Sequence, residues 1–180
     1  MNTSFDPFPE LVTDRLIMRQ INHGDVQQVF FLRSDETVLH YIDRTPVLSL
    51  REATEFIDRI MRQEKNGECV TWAMMPKDST QMIGSICLWN LEKERSKAEV
   101  GYSMHPDYYG KGLMQEAMAA VLNYGFGTMK VKVMEAITNR DNARSRRLLE
   151  RNNFTRDAQL EKERVGTEEP DYATIYTIRK

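Results

Sequence analysis

Gly110 and Gly112 stand two residues apart in the stretch Glu99–Phe126, EVGYSMHPDYYGKGLMQEAMAAVLNYGF. An alternating strand runs into them, and an amphipathic helix opens directly after them. A glycine loop at a helix N-terminus leaves several backbone N–H groups unpaired and facing outward. With the positive end of the helix dipole, they form a site for phosphate groups. Two familiar phosphate loops do not fit. A P-loop needs Gly-Lys-Ser/Thr, whereas Lys111 is followed by Gly112, which has no hydroxyl for Mg²⁺. A dinucleotide fingerprint needs a third glycine where Gln115 stands, and it belongs early in a parallel βαβ series.

The elements that must hold this loop can be read along the chain. Asp14–Gln20 alternates as a first strand, and Asn22 caps a helix carrying Val26, Val29 and Phe30. Ser49 and Glu52 form a capping box for a second helix with Ala53, Phe56, Ile57, Ile60 and Met61 on one side; Asn66-Gly67 stops it. Val70–Met75 and Gln81–Leu91 read as a hairpin, and Lys97–Met104 as the third strand of a meander. In that third strand Ala98, Val100, Tyr102 and Met104 share the core face, while Glu99, Gly101 and Ser103 share the other. The helix from Leu113 buries Met114, Ala117, Met118, Val121 and Leu122. Lys132–Thr138 is a strand, Asn142 caps a helix with Leu148 and Leu149 inward, and two last strands fall at Thr155–Glu163 and Tyr172–Arg179. This order predicts an α/β (α+β) domain: a mixed, mostly antiparallel sheet of about seven strands flanked by about four helices.

Composition narrows the function. With 180 residues and no linker or repeat, residues 1–180 are expected to form a single domain. Residues 1–10 form an extended arm that either packs on the domain or a neighbour, or is partly disordered. A formal net charge of −2 gives no general attraction to nucleic acid or anionic membranes. Cys69 and Cys87 have no metal-like spacing, and no metal site is expected. The N-terminus lacks a secretory pattern and no apolar run spans a bilayer, so a soluble, cytoplasmic protein is expected.

The loop in its setting resembles the GNAT superfamily of acyl-CoA-dependent N-acetyltransferases, whose Gln/Arg-x-x-Gly-x-Gly/Ala loop lies between a strand and a helix. Tyr109, Gly110, Lys111, Gly112, Leu113 and Met114 stand at the matching positions; Gly112 matches, and Tyr109 and Met114 depart from the pattern. AEVGYSMHPDYYGKGLMQEA, the opening LVTDRLIMRQINHGDVQQVFFLRSD, and Asn142-x-x-Ser145 followed by Leu148, Leu149 and Asn153-Phe154 are similar to its ribosomal-protein N-terminal acetyltransferase (RimJ/RimL-like) branch. An aromatic often stands at the Tyr109 position in that branch.

The resemblance implies a GNAT-like fold and acetyl-CoA as co-substrate. Its pyrophosphate would lie against the backbone of Tyr109–Met114, and its pantetheine arm along the strand ending at Met104, where His105-Pro106 suits a splayed edge. It implies direct attack of a primary amine on the thioester in a ternary complex, with Glu99 as general base and Ser145 hydrogen-bonding the departing sulfur. Asn142 would both cap its helix and contact the cofactor. Tyr102 reads as core, and Arg144, Arg146, Arg147 and Arg151 as a solvated face or, with Lys111, a hold on the 3′-phosphate. Met74 and Met75 are candidates to line an acceptor groove, and Asp35, Glu36 and Asp43 cluster in the same region. The acceptor would be a protein or peptide N-terminus, or alternatively a small amine such as a polyamine, amino acid or antibiotic. A CoA-binding regulatory module without turnover is the alternative of another class. A homodimer is compatible with all of these.

Overall fold

The computed structural model describes residues 1–180 and shows a twisted, open eight-stranded sheet. The strands are β1 (Leu11–Val12), β2 (Leu16–Gln20), β3 (Val70–Pro76), β4 (Gly84–Glu92), β5 (Lys97–Met104), β6 (Val133–Asn139), β7 (Thr155–Arg156) and β8 (Ala173–Arg179). Their spatial order is β1-β2-β3-β4-β5-β6-β8-β7, antiparallel everywhere except between β5 and β6. The helices are α1 (Val26–Ser34), α2 (Glu36–Leu39), α3 (Leu50–Lys65), α4 (Leu113–Gly127), α5 (Ala143–Arg151) and α6 (Ala158–Arg164). The mixed, mostly antiparallel architecture is the expected one. The additional elements are short: the two-residue edge strand β1, the one-turn helix α2 and the two-turn helix α6.

Helices cover both faces. On one, α4 turns Leu113, Met114, Ala117, Met118, Val121 and Leu122 onto Trp72, Met74, Ile86, Leu88, Val100 and Met134 in the main core. On the other, α1 and α3 bury Val29, Leu32, Ala53 and Ile57 with Ala73 and Met82 in a smaller core. The Ser49 side chain accepts from the Glu52 N–H, as the capping pattern requires. The N-terminal arm is packed down: Phe5 is buried, Phe8 meets Trp72 edge-on, and Pro9 O accepts from Trp72 Nε1 at 2.7 Å.

One predicted strand is corrected. Thr155–Glu163 contributes only Thr155–Arg156 to the sheet before becoming α6. Asp157 caps that helix through the Leu160 N–H, and Ala-Gln-Leu-Glu-Lys-Glu-Arg is built from strong helix formers. Met74 and Met75 are also corrected: both are buried in the sheet, and neither lines the large cleft that opens beside β5.

Two arrangements shape the centre. β5 pairs with β6 only through Lys97–Val133, Ala98–Met134 and Glu99–Glu135; beyond that the strands diverge, and the β6-facing edge of Val100–Met104 has no strand partner. On its other side β5 stays paired to β4 up to Gly84–Met104. A Cβ at Gly84 would lie 2.6 Å from Ser103 O and 3.0 Å from Met104 Cα, both backbone atoms. Gly84→Ala should therefore force β4 and β5 apart. We expect thermal denaturation to show a loss of about 1–3 kcal/mol, typical of overpacking against unyielding atoms.

Candidate active site

The divergence of β5 from β6 opens a cleft of about 1230 Å³ that runs from the glycine loop to the α1–α3 side of the sheet. At one end lie Met104, Tyr109, Gly110, Gly112, Met114, Asn142 and Ser145, and near the middle Glu99 and Tyr102. The far end is lined by α1, α3, the loop before α3 and the segment before β8.

The glycine loop has the geometry of an anion cradle. Gly110 and Gly112 adopt φ values of +74° and +77°, which L side chains rarely tolerate. Gly112 caps α4 without a side-chain bond, and no protein acceptor takes the N–H groups of residues 110–115. Nothing lies within 4 Å of a Cβ built at Gly110, so the space above the loop is free for a ligand. The loop is braced from beneath. Arg15 donates from Nη1 to Lys111 O at 2.9 Å and from Nε to Glu116 Oε2 at 2.8 Å, while Glu116 also accepts from the Arg15 N–H and the Thr13 hydroxyl. Gln115 and Asn152 exchange amide hydrogen bonds at 2.9 and 3.0 Å, tying α4 to the end of α5.

Not every residue expected at the cofactor points into the cleft. Leu113 turns into the core, His105 stacks on Phe31 with centroids 4.3 Å apart, and the Lys111 ammonium lies over Tyr108. Among the arginines of α5, Arg144, Arg147 and Arg151 line the cleft, whereas Arg146 faces a separate hollow beside Arg156 and Tyr176. Tyr109 carries the Arg144 guanidinium 4.3 Å from its ring centroid.

Asn142 Oδ1 accepts from the Ser145 N–H at 3.1 Å and so caps α5. Ser145 is buried, and its hydroxyl lies 2.8 Å from the Tyr102 hydroxyl. Tyr102 is thus more than core: its ring packs against the apolar cluster while its hydroxyl meets Ser145 at the cleft. Alternation predicts the ring's side of the strand but not the reach of its hydroxyl.

Glu99 is 8 % exposed, while Gly101 and Ser103 on the same face of the strand are half-buried and line the cleft. It lies beside Glu135 in the parallel register. Glu135 takes both nearby cations, Lys97 at 3.2 Å and Arg164 at 2.8 Å, leaving Glu99 in no ion pair. Burial pushes the Glu99 carboxyl up to about 7; Asn90 and Arg164 offset part of this, and Glu169 and Glu135 add repulsion. Cys87 also lines the cleft, but burial raises its thiol to about 12, far from a nucleophilic thiolate. No group of three or more His, Cys, Asp or Glu side chains converges as a metal site would require. No helix is long and apolar enough to cross a membrane.

A splayed sheet with a glycine cradle beside the splay defines an acyl-CoA-dependent N-acyltransferase fold. Residues 15–155 match the GNAT acetyltransferase domain, and the chain belongs to that family. It is 30% identical over 175 residues to the uncharacterized N-acetyltransferase YoaA of Bacillus subtilis, covering 96% of this chain and 98% of that one. Its fold is similar to that of RimL, a ribosomal L7/L12 α-N-protein acetyltransferase in complex with coenzyme A: TM-score 0.81, 17% identity, 94% and 96% of the two chains covered. It is also similar to the microcin C7 self-immunity acetyltransferase MccE in complex with acetyl-CoA and AMP: TM-score 0.79, 19% identity, 99% and 100% covered. The co-substrate of the family is acetyl-CoA, and the open amides of the loop suit its pyrophosphate.

Glu116→Ala should release Arg15 and slacken the loop. Isothermal titration is expected to show acetyl-CoA binding weakened about three- to tenfold, the value of one or two lost hydrogen bonds.

Proposed function

We propose that this protein transfers an acetyl group to a primary amine by direct attack, with Glu99 as general base, and that a peptide or protein N-terminal amine is the preferred acceptor. The observation that carries the reading is a buried carboxyl, open to the cleft, unpaired with any cation and raised to about 7. An amine must lose its proton before it can attack. An α-amine titrates near 7.7–8.0 and a lysine-like amine near 10.4, so a base near 7 faces a gap of about one unit for the first and more than three for the second. The matching of base to acceptor favours the α-amine.

Acetyl-CoA supplies the thioester, which is already reactive toward amines. The residues provide position and proton management. Amides of residues 110–115 anchor the phosphates, the free edge of Val100–Met104 offers backbone groups to an extended ligand, and the splay sets Glu99 beside the path to it. The Ser145–Tyr102 hydroxyl pair is suited to donate a hydrogen bond to the departing sulfur, Tyr102 holding Ser145 in place. On the acceptor side, the Tyr172 hydroxyl donates to Asp43 at 2.6 Å and ties the segment before β8 to the loop before α3.

In steady-state assays, Glu99→Gln should lower kcat by roughly 10²–10⁴-fold while acetyl-CoA affinity is retained. In the wild type, kcat/KM should rise with pH through the ionisation of Glu99 near 7 and that of the free α-amine near 7.7–8.0; Glu99→Gln should lose the lower step and keep only the amine's own ionisation. A variant with wild-type activity and pH profile would overturn the assignment. Normal acetyl-CoA binding with a silent wild type across a broad amine screen would establish a regulatory module instead.

Ser145→Ala and Tyr102→Phe should each lower kcat, by about tenfold or less for loss of one donor in a relay. Because the two hydroxyls act through one hydrogen bond, the double variant should cost little more than Ser145→Ala alone, and a double-mutant cycle reads the coupling.

A further inference from the structure

The acceptor end of the cleft is lined by three arginines from different segments: Arg33 on α1, Arg44 in the loop before α3, and Arg59 on α3. None of their side chains makes an ion pair, and no protein acceptor takes a hydrogen bond from them. Arg33 and Arg59 both lie against the Phe56 ring, 3.8 and 5.2 Å from its centroid, and Arg33 Nε is shut off from solvent without a partner. Burial and the like charges of Arg44 and Arg59 lower the Arg33 pKa to about 10. Arg44 and Arg59 are exposed and Arg33 is half-buried, so the uncompensated burial falls on Arg33, and an anion held across the three guanidiniums would relieve it.

Of the carboxylates bordering this end, only Glu169 is paired with a cation. Asp43 accepts from Tyr172, Glu169 pairs with Arg164 at 2.8 Å, and Glu68 accepts from Asn66 at 3.0 Å. Glu99 is the base of the proposed reaction. Asp35, from the acidic group seen in the sequence, caps α2, and Glu36 does not line the cleft. Tyr172 and Asn66 are neutral donors and leave the Asp43 and Glu68 charges in place, so the three guanidiniums against these two carboxylates leave this end net positive.

We propose that Arg33, Arg44 and Arg59 form an anion subsite, and that the amine acetylated here carries an acidic group, carboxylate or phosphate, on the same molecule. This rests on the acetyl-transfer reading and specifies its acceptor. Polyamines meet the wrong sign of charge and are rejected. Phe56 holds the Arg33 guanidinium in one plane, so the fork costs little further ordering when an acid docks.

The test separates binding from turnover. Wild-type protein saturated with CoA, which has no acetyl group to transfer, is titrated calorimetrically with C-terminally amidated peptides. Each begins with serine, followed by Asp-Glu, phosphoserine, Asn-Gln or Lys-Lys; free glutamate and spermidine complete the set. An acidic probe should bind at least about tenfold more tightly than the neutral peptide, with the basic peptide and spermidine weakest. The comparison among Asp-Glu, phosphoserine and glutamate identifies the source of the acid. Arg33→Met and Arg59→Gln should each shrink the acidic advantage severalfold, CoA affinity reporting that the variants are folded; Arg59 is exposed, so its variant carries little folding risk. Equal affinity for acidic and neutral probes, tighter binding of spermidine, or an advantage that survives both substitutions overturns the subsite. Acidic probes that bind but receive no acetyl group from acetyl-CoA, by product mass, uphold the subsite and overturn the acetyl-transfer reading.

Discussion

The parallel pairing of β5 with β6 ends at Glu99 opposite Glu135, and the cleft depends on where it ends. Continued to Met104, the ladder would consume the strand edge and close the space between the strands. By stopping there, it also sets two carboxylates side by side inside the protein. Neighbouring buried carboxylates do not both ionise cheaply, and the surroundings divide them. Glu135 receives Lys97 and Arg164; Glu99 receives neither. The same residue type on adjacent strands is thus ion-paired in one case and, in the other, pushed by burial up to about 7, as the proposed base requires.

That division has a thermodynamic cost. A carboxyl whose folded pKa lies above its unfolded value favours folding while protonated, and this contribution is lost as pH rises from the ordinary carboxylate range through about 7. The ionised form that would serve as base is the form the fold holds least comfortably. The elements around the cleft are tied together independently of that carboxyl: α4 to the end of α5 by the Gln115–Asn152 amide pair, and the glycine loop by Arg15 and Glu116.

The departures of the loop from its family pattern take on physical sense here. Tyr109 supports Arg144 with its ring, and Met114 is buried in the main core while lining the cleft. Neither position supplies its side chain to the cradle, which is made of backbone amides and positive-φ glycines. Side chains at those positions can vary so long as the backbone path and the helix seat are kept.

Element order, the capped helices and the glycine cradle are legible in the sequence because they rest on local rules: alternation, capping, helical spacing and glycine conformation; Glu99 and Ser145 became candidates through the resemblance to the acetyltransferase family. The segment after Arg156 departs from its expected strand because alternation and helical spacing are nearly indistinguishable over so few residues, and the Asp157 cap decides in favour of a helix. Tertiary structure alone decided the rest. It brought Tyr102 to Ser145, Arg15 under Lys111, and Lys97 and Arg164 to Glu135 rather than Glu99; it also turned His105, Lys111 and Arg146 away from the cleft. The reason is that local pattern fixes which face of an element a residue occupies. Charge pairing and burial, which set a proton affinity and the sign of a pocket, depend on partners contributed by segments far apart in the chain.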